Sequence, residues 1–353
     1  MYLTARYTPQ HLSLNTTRRP HIGSELPCPY SPHARAPAPR APIASDMEKS
    51  KVLVVGGTGY IGRRMVRASL AQGHRTFVLT RLEKVGMDID KLQLLLSFKA
   101  QGAVLVEASM DDHRSLVAAV KQVDVVVSAM GGPHLLQQLK LVEAIKEAGN
   151  VQRFLPSEFG MDPARMGHAL APGRVTFDDK MVIRKAIEEA NIPHTYVSAN
   201  CFAAYFAANL SQIGTLLPPK EKVHVYGDGN AKVIFVDEDD AATYVIKSID
   251  DPRSLNKTIY IRPPENILSQ NELIAKWEKL SGKVLEKIPI PSDEFLASME
   301  GADHTYQIVV GHVYHIFYEG CLTNFEIADD EEASLLYPEV QYTLMDKYME
   351  RYL

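Results

Sequence analysis

From Lys51 onward the chain alternates between short apolar runs and amphipathic stretches. Val52–Val55 reads as a fully buried strand, followed by a helix over Tyr60–Gln72 and a strand over Arg75–Thr80. Helical periodicity over Asp88–Gln101 and Asp111–Gln122 brackets a strand at Ala103–Val106. Val123–Ser128, Arg153–Leu155 and His194–Val197 continue as strands, separated by helices over Leu135–Ala148 and Val175–Ala190. Strict alternation of strand and helix predicts a parallel sheet covered on both faces, with right-handed crossovers. Beyond it the pattern is less regular, with short strands near Val223–Tyr226, Lys232–Val236 and Thr258–Ile261 and helices near Asn271–Ser281 and Thr305–Tyr318. The expected class is α/β. A doubly wound sheet domain over residues 47–205 is followed by a smaller α/β substrate-binding lobe over 206–353, with elements returning to the sheet.

The junction after the first strand carries chemistry. Gly56-Gly57-Thr58-Gly59-Tyr60-Ile61-Gly62 places glycines where a strand must turn sharply, approach a pyrophosphate and pack a helix tightly on a sheet. The helix N-terminus that follows aims free N–H groups at the phosphates. This makes the sheet Rossmann-like and the turn a dinucleotide site. The second strand ends in Thr80-Arg81, where an NAD site would carry an acid for the ribose 2′-hydroxyl. A guanidinium there clamps a 2′-phosphate, so NADPH is expected, with Lys84 and Lys91 adding charge close behind.

Composition narrows the field. With 353 residues, 46% of them hydrophobic, the chain can bury such a domain and a second lobe. A net charge of -5 gives no sign of a nucleic-acid surface, and no apolar run is long enough to span a bilayer. Cys28, Cys201 and Cys321 have no paired spacing, so neither disulfides nor a zinc site is implied. The core reads as a soluble enzyme of a reducing compartment. Residues 1–46 are rich in Pro, Arg, Ser and Thr and poor in acids, and Pro20, Pro27, Pro29, Pro32, Pro37, Pro39 and Pro42 would break a targeting helix. They read as an over-extended gene model or a disordered tail, with a plastid address as the alternative.

Ligands on such sheets bind beyond the carboxyl ends of the strands. That gathers Ser128, Ala129 and Met130, Ser157, Glu158 and Phe159, and Asn200 and Phe202 around the nicotinamide. Ser157 and Glu158 suit the carboxamide, although Glu158 equally suits a cap; Asn200 and Phe202 suit a pocket wall or ordinary strand-end packing. Lys180 stands out for what it lacks. Ketone reductases of the short-chain class place a Tyr one helical turn before the Lys, whereas this chain has Thr176. A Lys without that phenol suits a substrate that itself carries an ionisable phenol, although a surface lysine on a charged helix fits the same pattern. Arg184, one turn further on, would depress the Lys180 pKa and reach the cofactor. His312 and His315 lie one turn apart, but no carboxylate completes a zinc motif; His312 reads as structural or as a ligand hydrogen-bond partner. The acidic run Asp237–Asp240 is explained by helix-end electrostatics.

Gly-Gly-Thr-Gly-Tyr-Ile-Gly, Leu-Leu-Ser-Phe-Lys-Ala-Gln-Gly-Ala, Arg-Phe-Leu-Pro-Ser-Glu-Phe-Gly-Met-Asp, Asp-Asp-Lys-Met-Val-Ile-Arg-Lys and Gly-Cys-Leu-Thr-Asn-Phe-Glu-Ile occur in that order. With these the chain resembles the plant pinoresinol–lariciresinol reductases, a family within the isoflavone reductase-like, NmrA-like branch of atypical short-chain dehydrogenases. The resemblance runs from about Lys49 to Leu353. It implies a cytosolic, homodimeric NADPH enzyme that opens the furan rings of pinoresinol and then lariciresinol. It further implies that Gly56 to Gly62, Arg81 and Lys91 bind NADPH with Arg184 nearby, that Lys180 accepts the proton, and that His312 contacts substrate; Phe202 and Met130, at the strand ends, are the further candidate substrate residues. Phenylcoumaran benzylic ether reductases and isoflavone reductases share the fold and cofactor, and an NADP(H)-sensing protein without catalysis is the alternative of another class. One departure is the stretch between Met130 and Leu135, only Gly-Gly-Pro-His, shorter than the family loop.

Overall fold

The computed structural model describes residues 49–353, so the reading of residues 1–46 lies outside the described part. The first half builds a parallel sheet from β1 (Val52–Val55), β2 (Thr76–Thr80), β3 (Val104–Glu107), β4 (Val125–Ser128) and β5 (Arg153–Leu155). Its helices are α1 (Gly62–Ala71), α2 (Ile89–Ala100), α3 (His113–Val120), α4 (Gln138–Ala148) and α5 (Val175–Glu189). Strand order is β3-β2-β1-β4-β5, all neighbours parallel. β1, β4 and β5 are buried throughout, as continuous apolar runs covered on both faces should be. The order reverses between β1 and β4, and the crevice for a ligand opens beyond the carboxyl ends at that switch point.

The expected fold class is observed, with corrections to individual boundaries. α1 begins at Gly62 rather than Tyr60, because Gly56 to Ile61 are taken up by the turn that Gly59 N closes by donating to Gly56 O. The stretch from Gly132 to Gln137, with Pro133 in its first turn, winds as a 3-10 helix, and α-helix starts only at Gln138. Asp88 and Asp112 accept backbone N–H groups as N-caps, so the helices read from Asp88 and Asp111 begin one or two residues later.

The later chain continues with β6 (Thr195–Ser198), β7 (Cys201–Phe202), α6 (Ala203–Phe206), β8 (Lys222–Tyr226), β9 (Lys232–Val236), α7 (Glu238–Ser248) and β10 (Lys257–Tyr260). It ends with β11 (Ile267–Ser269), α8 (Gln270–Ser281), β12 (Glu286–Ile290), α9 (Ser292–Ala297), α10 (His304–Phe317) and short turns of helix. β6 is bridged to β5 through Phe154 and His194, and β10 pairs parallel with β6, so the sheet gains strands from the second half. β12 pairs parallel with β8; Pro289 hid it, because Pro lacks a ladder donor. Asp237 caps α7, which packs on α1, and Ser269 with Glu272 forms a capping box on α8. One hydrophobic core runs from Val54 of β1 through Phe235 of β9 to Met349, and residues 49–353 form one compact unit. Among the described residues no helix is long and apolar enough to cross a membrane.

Candidate active site

The glycine turn sits at the switch point, and its glycines are enforced by contact. Gly56 adopts φ +80°, and a Cβ there would lie 2.7 Å from Ala129 O. A Cβ on Gly62 would lie 2.1 Å from Gly56 O, and one on Gly59 would lie 3.1 Å from the same oxygen. The turn therefore folds back on itself and against the end of β4. It leaves a backbone cradle at the start of α1, which is what a pyrophosphate requires. Tyr60 leaves this turn with Arg64 over its ring at 4.3 Å and Tyr205 beside it at 5.3 Å between centroids. Arg81 is exposed directly after β2, and Lys91 lies in the first turn of α2, its N–H capped by Asp88. These residues fit NADPH: a cradle with no room for side chains and a guanidinium in place of the acid at the end of β2.

Hydrogen bonds sew the neighbouring strand ends together. Ser157 Oγ donates to Met130 O at 2.8 Å, and Ser157 N donates to Gln138 Oε1 at 2.7 Å. Ser198 Oγ donates to Gly160 O at 2.9 Å, and Asn200, at φ 54°, donates through Nδ2 to Ile261 O at 2.7 Å. Ser157 and Asn200, expected against the cofactor, thus spend these groups on the rim. Phe159 and Phe202 are half-buried against the core beside them.

Glu158 and Arg184 also have uses that spacing did not predict. The Glu158 carboxylate, expected at the carboxamide, accepts from Arg184 Nε at 2.8 and 3.0 Å and pairs with Arg184 Nη2. Arg184 Nη2 also reaches Asp162 Oδ1 at 3.0 Å, and Tyr260 Oη donates to Asp162 Oδ2 at 2.7 Å. A guanidinium shared between two buried carboxylates is a fixed frame, with Tyr196 under its face at 4.2 Å. Asp162 and Tyr260 were not singled out from sequence, since each lies far along the chain from its partners.

Lys180 projects from α5 into this frame. It is buried, and its Nζ donates to the Glu158 carbonyl oxygen at 3.1 Å. A Cβ on Gly160, at φ +128°, would lie 3.9 Å from that Nζ, so the amine fills the space at the end of β5. Burial lowers its pKa from 10.5 to about 8; the Arg184 cation pushes the same way, and the carboxylates of Glu158 and Asp162 oppose. An amine near neutrality is a usable base. Contacts run without a break from Gly56 to Ala129, through Met130 and Ser157 to Glu158, and so to Lys180. His312 of α10 closes the other side: its Nε2 donates to Gly173 O at 3.2 Å, and its ring lies on Phe177 at 4.9 Å. Burial drives the His312 pKa down to about 4, so it is a neutral hydrogen-bonding group.

A Rossmann-like sheet with a glycine cradle and a buried lysine preceded one turn earlier by Thr176, not Tyr, defines an atypical short-chain reductase. The chain belongs to the NmrA-like family, whose model matches residues 48–349. Among its relatives is a protein of Lupinus albus named isoflavone reductase homolog, 69% identical over 313 residues, covering 87% of this chain and 100% of that one. A bifunctional pinoresinol-lariciresinol reductase of Linum perenne is 66% identical over 315 residues, covering 87% and 100%. A solved structure of AtPrR2 with NADP+ and (+)pinoresinol superposes with a TM-score of 0.85 at 62% identity, covering 87% of this chain and 99% of that one.

Proposed function

We propose that the protein is an NADPH-dependent reductase that opens the furan rings of pinoresinol and then lariciresinol, giving secoisolariciresinol. The observation that carries this is the buried Lys180 amine beside the glycine cradle, with Thr176 where a ketone reductase needs a Tyr. Lys180 takes the proton of the phenol para to the benzylic carbon. The phenolate pushes its electrons through the ring, the benzylic C–O bond breaks, and the ether oxygen leaves as an alkoxide that takes a proton from solvent. The ring is then a quinone methide whose benzylic carbon is the electrophile. NADPH, held by Gly56 to Gly62, Arg81 and Lys91, supplies the hydride to that carbon. Aromaticity returns as a phenolate, which recovers its proton from Lys180. Glu158, through its carbonyl, holds the amine in place, and its carboxylate with Arg184 and Asp162 fixes that carbonyl. His312, Phe202 and Met130 border the substrate in this reading, and orientation of phenol, carbon and hydride donor supplies much of the rate.

Incubation with racemic pinoresinol and NADPH, with chiral separation of products, tests this directly. Lariciresinol and then secoisolariciresinol are expected. Turnover of a phenylcoumaran or an isoflavone alone, or NADPH binding with no turnover of any of the three, would overturn it. The resemblance also supports a homodimer in the cytosol, checked by size exclusion at working concentration and by imaging of a tagged full-length chain.

A further inference from the structure

Outside the reductase site, His168 meets three side chains at and just past the end of α10. The three are His315, Glu319 and Cys321, and the ligand-type atoms of all four residues lie within 4.8 Å of one another. Hydrogen bonding separates their roles. The Leu170 backbone N–H donates to His315 Nε2 at 2.9 Å, so that nitrogen presents its lone pair. The proton of the neutral ring therefore sits on Nδ1, which donates to Glu319 Oε2 at 2.7 Å. Neither nitrogen of His315 is open to a metal, and the ring instead aims the carboxylate.

The other three atoms have the separations of a coordination polyhedron. His168 Nε2 lies 3.2 Å from Glu319 Oε2 and 3.8 Å from Cys321 Sγ, and Cys321 Sγ lies 3.5 Å from Glu319 Oε2. Tetrahedral zinc with ordinary Zn–N, Zn–O and Zn–S bond lengths separates such atoms by about 3.4–3.6 Å. We propose that His168 Nε2, Glu319 Oε2 and Cys321 Sγ form a zinc site, with water in the fourth position and His315 as the positioning residue for Glu319. A thiolate, an imidazole and a carboxylate together select Zn2+ over Mg2+ or Ca2+. Cys321 is buried, whereas His168 is half exposed and gives the ion a way in. Binding forms the Zn–S bond and releases the thiol proton to water.

The site has a mechanical meaning. His168 belongs to the segment 166–174 that leads into α5, and that segment is already tied to α10 twice, by Leu170 to His315 and by Gly173 to His312. Zinc adds a third tie between this segment and the chain just past α10. The proposal stands independently of the substrate named above.

Calorimetry of the full chain with zinc chloride should show one ion bound per chain, and the melting temperature should rise with zinc. Cobalt should give a thiolate-to-metal absorption band. His168→Ala and Cys321→Ser should each weaken zinc binding at least tenfold, and Cys321→Ser should abolish the cobalt band. Their metal-free melting temperatures should stay near that of the parent; if Cys321→Ser does not fold, the surface variant His168→Ala decides alone. These variants separate the site from the chain's other histidines and cysteines. Absence of saturable binding, equal affinity in His168→Ala, equal competition by magnesium, or a cobalt complex without the thiolate band would each overturn the proposal.

Discussion

If Lys180 is the base, its environment must appear in the pH dependence of the reaction. Its pKa falls from 10.5 to about 8, chiefly through burial. At pH 7 about one molecule in eleven then carries the neutral amine, against about one in three thousand for an unshifted lysine, a gain of roughly 300-fold in competent base. kcat/KM for pinoresinol, followed by loss of NADPH absorbance, should rise tenfold per pH unit below about 8 and level off above it. Lys180→Met keeps the apolar stem without the amine; it should lower kcat/KM by about 10²–10⁴-fold and remove the limb. NADPH affinity should survive, since the cradle lies in another loop. A profile flat through pH 8, or a Met variant that retains the limb, would refute the assignment. The same shift has a sign for stability. A lysine whose folded pKa is depressed costs the fold roughly 3 kcal/mol while it is charged, and that cost is relieved as pH rises from about 8 to 10.5. The Met variant should therefore melt higher than the parent at pH 7, a difference that narrows toward pH 10.

Arg184→Met removes a cation that lowers the Lys180 pKa and leaves Glu158 and Asp162 uncompensated; the kcat/KM limb should move to higher pH, with a stability loss of about 3–5 kcal/mol by denaturant melt. Gly62→Ala drives a Cβ into Gly56 O and should abolish NADPH binding in fluorescence titration while lowering the melting temperature. Arg81→Glu should weaken NADPH by about 10–100-fold and leave NADH much less affected, measured as the ratio of the two dissociation constants. Pinoresinol with both para-hydroxyls methylated should bind but not turn over, and consumption at the parent rate would exclude phenol ionisation.

Much of this fold can be read along the chain because its signals are local. Arg153–Leu155 and Lys232–Val236 are strands at the expected bounds, being apolar runs bracketed by turns. Lys180 and Arg184 share a helix face, so their coupling follows from spacing alone. The rest needed partners distant in sequence. Spacing offered Glu158 to the carboxamide or to a cap, and nothing local shows that Arg184 reaches back across 26 residues to its carboxylate. Asp162 became visible only with Tyr260, 98 residues away. At the proposed zinc site a local clue exists, since Glu319 stands one turn after His315 and two residues before Cys321. That clue is masked by the His312–His315 pair beside it, and His168 arrives from another segment altogether.

The stitched rim has a consequence for how specificity changes in proteins of this build. Ser157 to Met130, Ser198 to Gly160 and Asn200 to Ile261 tie the strand ends together, so a substitution among them loosens the frame beside Lys180. Divergence toward another phenolic ether, or toward the opposite enantiomer, is pushed outward to segments that carry none of these ties. The short Gly131–His134 stretch, mostly exposed, is the first such place, and grafting longer versions onto an unchanged rim is the natural route to new selectivity.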